Sequence, residues 1–175
     1  MQTLETKSLT WHHFFKPAAA DIEELRKNFN FHPLVLDELT KPTMRPKVDN
    51  YGDYLYLVLH FPIFDGKKRR TRAVECDFIL TRQALITAAF EPLPPLDDLF
   101  KKCSTERTCE ELYASRTPAH LFCAVIKELY AFALRELDHI ERNINRIDSK
   151  VFSGRREEQL IEELSFVRRD IIDFR

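Results

Sequence analysis

A chain of 175 residues that is 44% hydrophobic can build one domain with its own core, alone or with an appended helical arm, and is neither disordered nor a disulfide-stapled module. Its 27 Lys and Arg balance 28 Asp and Glu locally as well as overall, 7 against 8 through His60, 6 against 6 to Phe100 and 14 against 14 beyond, which leaves no basic footprint for nucleic acid. The three glycines, Gly52, Gly66 and Gly154, cannot form a phosphate-cradling loop.

From residue 1 to about 100, short β-like runs alternate with short helical ones, the pattern of a mixed α/β layer structure. Leu4 to Trp11 reads as an edge strand. Asp21 to Phe29 places Ile22, Leu25 and Phe29 at helical spacing behind an acidic first turn. Pro33 suits the start of a second helix that runs to about Lys41 and is ended by Pro42 and Pro46.

Tyr54 to Phe61, YLYLVLHF, is too continuously apolar for a strand with one wet face. It is expected in the sheet centre between helices, with Leu55, Leu57 and Leu59 on one side and Tyr56 and Val58 on the other. A hairpin tip at Asp65 to Lys68 leads to its partner. Cys76 to Leu80 and Ala84 to Phe90 read as two further strands, and Glu91 to Pro95 leaves the sheet.

After Pro118 no Pro or Gly occurs before Gly154, and Leu121, Val125, Leu129, Phe132, Ile140, Ile144, Ile147 and Val151 mark one very long helix. Beyond Gly154, Leu160, Leu164, Val167, Ile171 and Phe174 repeat at spacings of 4, 3, 4 and 3, a second coiled-coil-like helix still running at Arg175. The uncapped pattern points to a longer protein. An exposed stripe of Leu160, Leu164, Val167 and Ile171 would drive weak, concentration-dependent pairing of an isolated fragment.

Catalytic signatures are sparse. The six histidines form no HxxxH or HExxH pair, and Cys76, Cys103, Cys109 and Cys123 show no CxxC spacing. Four reduced cysteines of a cytoplasmic protein are expected. Cys103 or Cys109 with His120 sketches a nucleophile and base, but nothing supplies an oxyanion hole or an orienting acid, so no enzyme is expected. The basic run Lys67 to Arg70 with Arg72 reads as a solvated hairpin tip. The longest run free of charged residues, Tyr54 to Phe64, has 11 residues, short of the about 18 that a bilayer span needs.

The stretch FHPLVLDELTKPTMRPKVDNYGDYLYLVLHFPIFD, Phe31 to Asp65, resembles the cytoplasmic N-terminal domain of the CorA family of magnesium and cobalt transporters. His32 to Asp37 matches the family's HPLVLED segment. Arg45 to Val48, with Asp49 for the usual Glu, matches RPKVE, and Tyr54 to Leu59 matches the following apolar strand. Phe78 to Thr87 and Pro118 to Val151 extend the resemblance over most of the chain.

The resemblance implies a three-layer α/β/α sensor domain with a mixed sheet over residues 1–115, followed by a long-helix pair over 116–175 that includes the start of a stalk. It further implies a homopentamer at the cytoplasmic face of the inner membrane, anchored only through segments absent from this chain. The family's GMN signature does not occur here. The implied function is regulatory sensing for a Mg²⁺ or Co²⁺ channel. A zinc-transporting relative, or a pore-less interaction module of the same fold, are the alternatives.

In the family, an acidic pair in the HPLVLED segment contributes to Mg²⁺ sites between subunits, and that pair falls on Asp37 and Glu38 in swapped order. Adjacent helical residues point about 100° apart, so the two carboxylates need ligands from another chain to hold one small octahedral ion. Weak regulatory binding of Mg²⁺, Co²⁺ or another divalent cation is therefore implied. Where some members carry a further acid at the start of the long helix, this chain has Lys127, whose ammonium would pair with Asp37 and oppose a cation.

Overall fold

A computed structural model of the chain describes residues 1–43, 45–65, 70–114, 116–152, 161, 163–165 and 167–168. Six strands form one mixed sheet: β1 (Gln2–Glu5), β2 (Thr10–Phe15), β3 (Lys47–Asn50), β4 (Tyr54–Asp65), β5 (Arg70–Thr81) and β6 (Ala84–Ala89). Their order across the sheet is β1-β2-β6-β5-β4-β3. The β2–β6 pair is parallel, whereas β1–β2, β5–β6 and β3–β4 are antiparallel.

Helices cover both faces of the sheet. On one face lie α1 (Ala19–Asn28) and α2 (Pro33–Glu38), whose Ile22, Leu25, Val35 and Leu36 share a core with Tyr56, Val58, Ile79 and Ile86. On the other lie α3 (Pro94–Thr105) and the first turns of α5 (Pro118–Phe152), where Phe100 meets Trp11 edge-on and Phe122 meets Phe78. The period of two sorts neighbours to opposite layers, Trp11 against α3 and Phe14 into the α1/α2 core. Between α3 and α5 come the short α4 (Arg107–Cys109) and a π-helical turn, Glu110–Ala114.

Several sequence expectations need correction. The segment Leu4 to Trp11 is not one strand, because Thr6 folds it into a hairpin. Thr6 N donates to Leu9 O at 2.9 Å, and the Thr6 hydroxyl oxygen accepts from Leu9 N at 3.1 Å. Strand β4 has the expected faces but lies next to the edge strand β3, and the fully buried β6 is more central. Helix α2 stops at Glu38. Thr40 N bonds Asp37 O and Lys41 N bonds Glu38 O, turns of the tighter i to i+3 type that replace α-helical bonds over the last residues. The predicted tip beyond Asp65 and the break at Gly154 lie outside the described residues.

The described chain divides into two compact units, Met1–His60 with Val74–Leu129, and Phe61–Ala73 with Tyr130–Arg175. In the first, Leu121, Val125 and Leu129 of α5 are fully buried. In the second, Val167 is buried with Ile140 and Ile147 while Leu164 is exposed, so the expected stripe is split between core and surface. Leu160 and Ile171 of that stripe lie outside the described residues.

The β3–β4 turn depends on Gly52, at φ +84°, with its N–H held by Asn50 Oδ1 at 2.8 Å. Nothing lies within 4 Å of where a Cβ would stand, so a side chain there costs only conformational strain. Gly52→Ala should lower stability by about 1 kcal/mol in urea unfolding, and an unchanged midpoint would contradict the turn geometry.

Candidate functional site

The HPLVLDE and RPKVD segments come together as one ionic structure in the first unit. His32 caps α2, its Nδ1 accepting from Leu34 N at 3.2 Å while its own N–H donates to the Tyr54 hydroxyl at 2.8 Å. Pro33 follows at the first helical position, where a missing N–H costs nothing. Val35 and Leu36 are buried, which turns Leu34 and Asp37 outward. The motif is therefore mainly a folding device that fixes which way its acids face.

Asp37 and Glu38 diverge, as neighbours on a helix must. The Asp37 side chain is 63% exposed and pairs with Lys41, one turn on, at 3.3 Å. Such an exposed pair contributes about 0.3–0.5 kcal/mol and yields readily to a stronger partner. Lys127 is exposed on α5, and among the described residues the cation paired with Asp37 is Lys41.

Glu38 is half-buried and held. Lys47 Nζ sits 2.9 Å from Glu38 Oε1, 2.6 Å from Oε2 and 2.9 Å from Asp49 Oδ2, and lies 5.0 Å from the centre of the Tyr56 ring. Burial by itself would lower the pKa of this ammonium, but the hydrogen bonds and charges of Glu38 and Asp49 outweigh it and leave the pKa above its ordinary value. The lysine of the RPKVD segment thus fills the position between two carboxylates that a cation would otherwise take.

Beneath the lysine lies a buried acidic pair that sequence reading missed. Glu75 and Asp77, two apart on β5, point toward the α1/α2 layer. Both oxygens of Glu75 accept from Thr43 N, at 2.9 and 2.7 Å, and Oε2 lies 3.3 Å from His60 Nε2. The Tyr56 hydroxyl donates to Asp77 Oδ2 at 3.2 Å, while Asp77 Oδ1 is buried with no hydrogen-bond partner among the described residues. Burial first, and then the charge of Glu75, push Asp77 up to about 8. Burial and the Asp77 charge likewise raise Tyr56. The alternation of polar Glu75 and Asp77 with Val74, Cys76 and Phe78 was visible in the sequence, but it reads equally as a strand with one wet face.

On the opposite face His13 is buried, with Nδ1 2.9 Å from Thr87 Oγ1 and Nε2 3.0 Å from Asp97 Oδ1. Cys103 and Cys109 are both buried with their sulfur atoms 2.9 Å apart, and burial pushes the Cys103 thiol up. Among the described residues no three His, Cys, Asp or Glu gather as a metal site. No helix there is long and apolar enough to cross a membrane.

The geometry therefore defines an α/β/α domain with a charged clamp under a short acidic helix. Residues 6–175 match the family model described as CorA-like Mg²⁺ transporter protein, and the chain belongs to that family. It is 20% identical over 154 residues to the cobalt/magnesium transport protein CorA of Thermotoga maritima, covering 88% of this chain and 43% of that one. The soluble domain of CorA from Methanocaldococcus jannaschii superposes with a TM-score of 0.74 at 16% identity, covering 95% of this chain and 64% of that one. The ZntB cytoplasmic domain from Vibrio parahaemolyticus gives 0.66 at 17% identity, covering 96% and 66%. The chain spans less than half the length of the curated relatives it matches.

Asp77 makes stability depend on pH with a definite sign. Between the ordinary 3.8 and about 8, the folded chain holds a proton that the unfolded chain has released. Stability should fall as pH rises through that window, by up to about 1.4 kcal/mol per unit. Asp77→Asn should flatten this slope and raise the unfolding midpoint at pH 8. An unaltered pH profile would show that Asp77 ionises normally.

Proposed function

We propose that this chain is the regulatory, ion-sensing part of a CorA-type divalent-cation transporter, with residues 1–115 as the sensor domain and 116–175 leading into a stalk. The carrying observation is the orientation of α2, which turns Asp37 and Leu34 outward while Lys47 holds Glu38 against the sheet. Asp37 is the carboxylate placed to meet a cation with ligands from another subunit, and Glu38 orients the helix that presents it. In this reading the cytoplasmic face of the membrane is the site of sensing, and Mg²⁺ is the regulatory ion.

Charge and surface both support assembly as the readout. Carboxylates gathered at an interface repel when empty, and a bridging cation stabilises the assembled state, which couples ion level to the pore. In the second unit, Tyr130, Leu134, Leu137 and Ile144 of α5 are exposed at spacings of 4, 3 and 7, a face suited to another copy of this chain. A homopentamer is the expected assembly. A zinc-handling variant is the second reading, supported by the likeness to the ZntB cytoplasmic domain.

Titrating the full-length protein with Mg²⁺ while following protease protection of this domain tests the proposal. Asp37→Asn should raise the midpoint about tenfold, one ligand's share at about 1.4 kcal/mol, and Lys127→Asp should lower it. Tighter protection by Zn²⁺ than by Mg²⁺ would favour the zinc reading. If neither substitution moves the midpoint for either ion, Asp37 is an ordinary surface acid and the sensing proposal fails.

A further inference from the structure

Cys103 closes the last turn of α3 and Cys109 ends α4, six residues later. In an unbroken helix two such residues would stand about 9 Å apart along the axis and about 240° around it, out of reach of each other. The backbone breaks between them: Glu106 is extended, at φ −113° and ψ 111°. The break folds α4 back so that the two sulfur atoms face each other at 2.9 Å. Both side chains are buried, Cys103 at 2% and Cys109 at 8% exposure.

We propose that Cys103 and Cys109 are a redox pair that closes to an intrachain disulfide on exposure to a peroxide. Cys109 is the sulfur to react first, because it is the more accessible of the two and lies between a three-residue helix and a π-helical turn, where few regular α-helical bonds resist local opening. Cys103 is the resolving thiol because its sulfur already stands 2.9 Å from that of Cys109.

In the first step the Cys109 thiol gives up its proton and the thiolate attacks the peroxide, forming an S–O bond as the O–O bond breaks; hydroxide leaves and takes up that proton as water, which yields a sulfenic acid. In the second, Cys103 sulfur attacks Cys109 sulfur, the S–S bond forms, the S–O bond breaks, and a second water leaves with the Cys103 proton. The two sulfurs lose two electrons and the peroxide gains them. The product ties the end of α3 across the break, the same helix whose Phe100 and Asp97 dock on Trp11 and His13. Cys123, exposed on α5, and Cys76, buried in β5, are the comparison thiols.

Tryptic cleavage after Lys102, Arg107 and Arg116 places the two cysteines on separate peptides, 103–107 and 108–116. The full-length protein carrying Cys123→Ser should be titrated with hydrogen peroxide, alkylated in denaturant and mapped without reduction. Across residues 1–175 the alkylatable thiols should fall from three, Cys76, Cys103 and Cys109, to one, with peptides 103–107 and 108–116 joined and both released by dithiothreitol. Cys103→Ser should abolish the cross-link and leave Cys109 as a singly oxidised residue. If Cys103→Ser fails to fold, the Cys123→Ser map decides the matter alone. Recovery of both cysteines as free thiols, or of Cys109 as sulfinic acid unlinked to Cys103, would overturn the proposal.

Discussion

Lys47 is the charge on which this domain turns. Four acids, Glu38, Asp49, Glu75 and Asp77, lie along or beneath the α2–sheet junction, and Lys47 is the permanent cation that touches two of them and covers the Tyr56 ring above a third. The ammonium meets Glu38 and Asp49 directly. Asp77, which has no such partner, keeps its proton toward pH 8. Because Glu38 is the last residue of α2, the same ion pair fixes the roll of that helix and so the outward direction of Asp37. Electrostatics thereby divides two adjacent carboxylates into one that holds the helix and one that faces outward.

That division lets one short motif serve the fold while leaving one acid turned outward, the acid on which the proposed sensing rests. His32, Pro33, Val35 and Leu36 serve the cap and the core, and their identity is dictated by local geometry. Only the outward face is free to vary with function. A cation competing for Asp37 displaces an exposed i,i+4 pair with Lys41, which costs little, whereas competition for Glu38 would break a half-buried pair and leave Lys47 with Asp49 alone. The two acids of one motif therefore differ in availability for reasons that lie in β3 and β4.

Much of this was legible in the residues. The continuous apolar run at Tyr54 to Phe61, the helical spacing of Ile22 and Leu25, and the unbroken stretch after Pro118 each marked an element that the structure contains. The failures share a cause: they depend on contacts distant in sequence or on single side chains that turn the backbone. Thr6 splits an apparent strand through one hydroxyl. The parallel β2–β6 pairing, 74 residues apart at Thr10 and Ala84, moves β4 away from the centre. Lys47 belonged to a motif that suggested only family membership, and its clamp on Glu38 became visible once α2 and β3 were placed side by side. The pairing of Cys103 with Cys109 likewise follows from a helix break that no residue signature announces.

The most direct measurement is a double-mutant cycle on Glu38→Gln and Lys47→Met, followed by urea unfolding at pH 7. If the pair fixes α2, the two substitutions should couple by about 1–2 kcal/mol, between the values typical of exposed and buried ion pairs. Additive effects, with a coupling near zero, would show that Glu38 is not held by Lys47 and that the orientation of Asp37 has another origin.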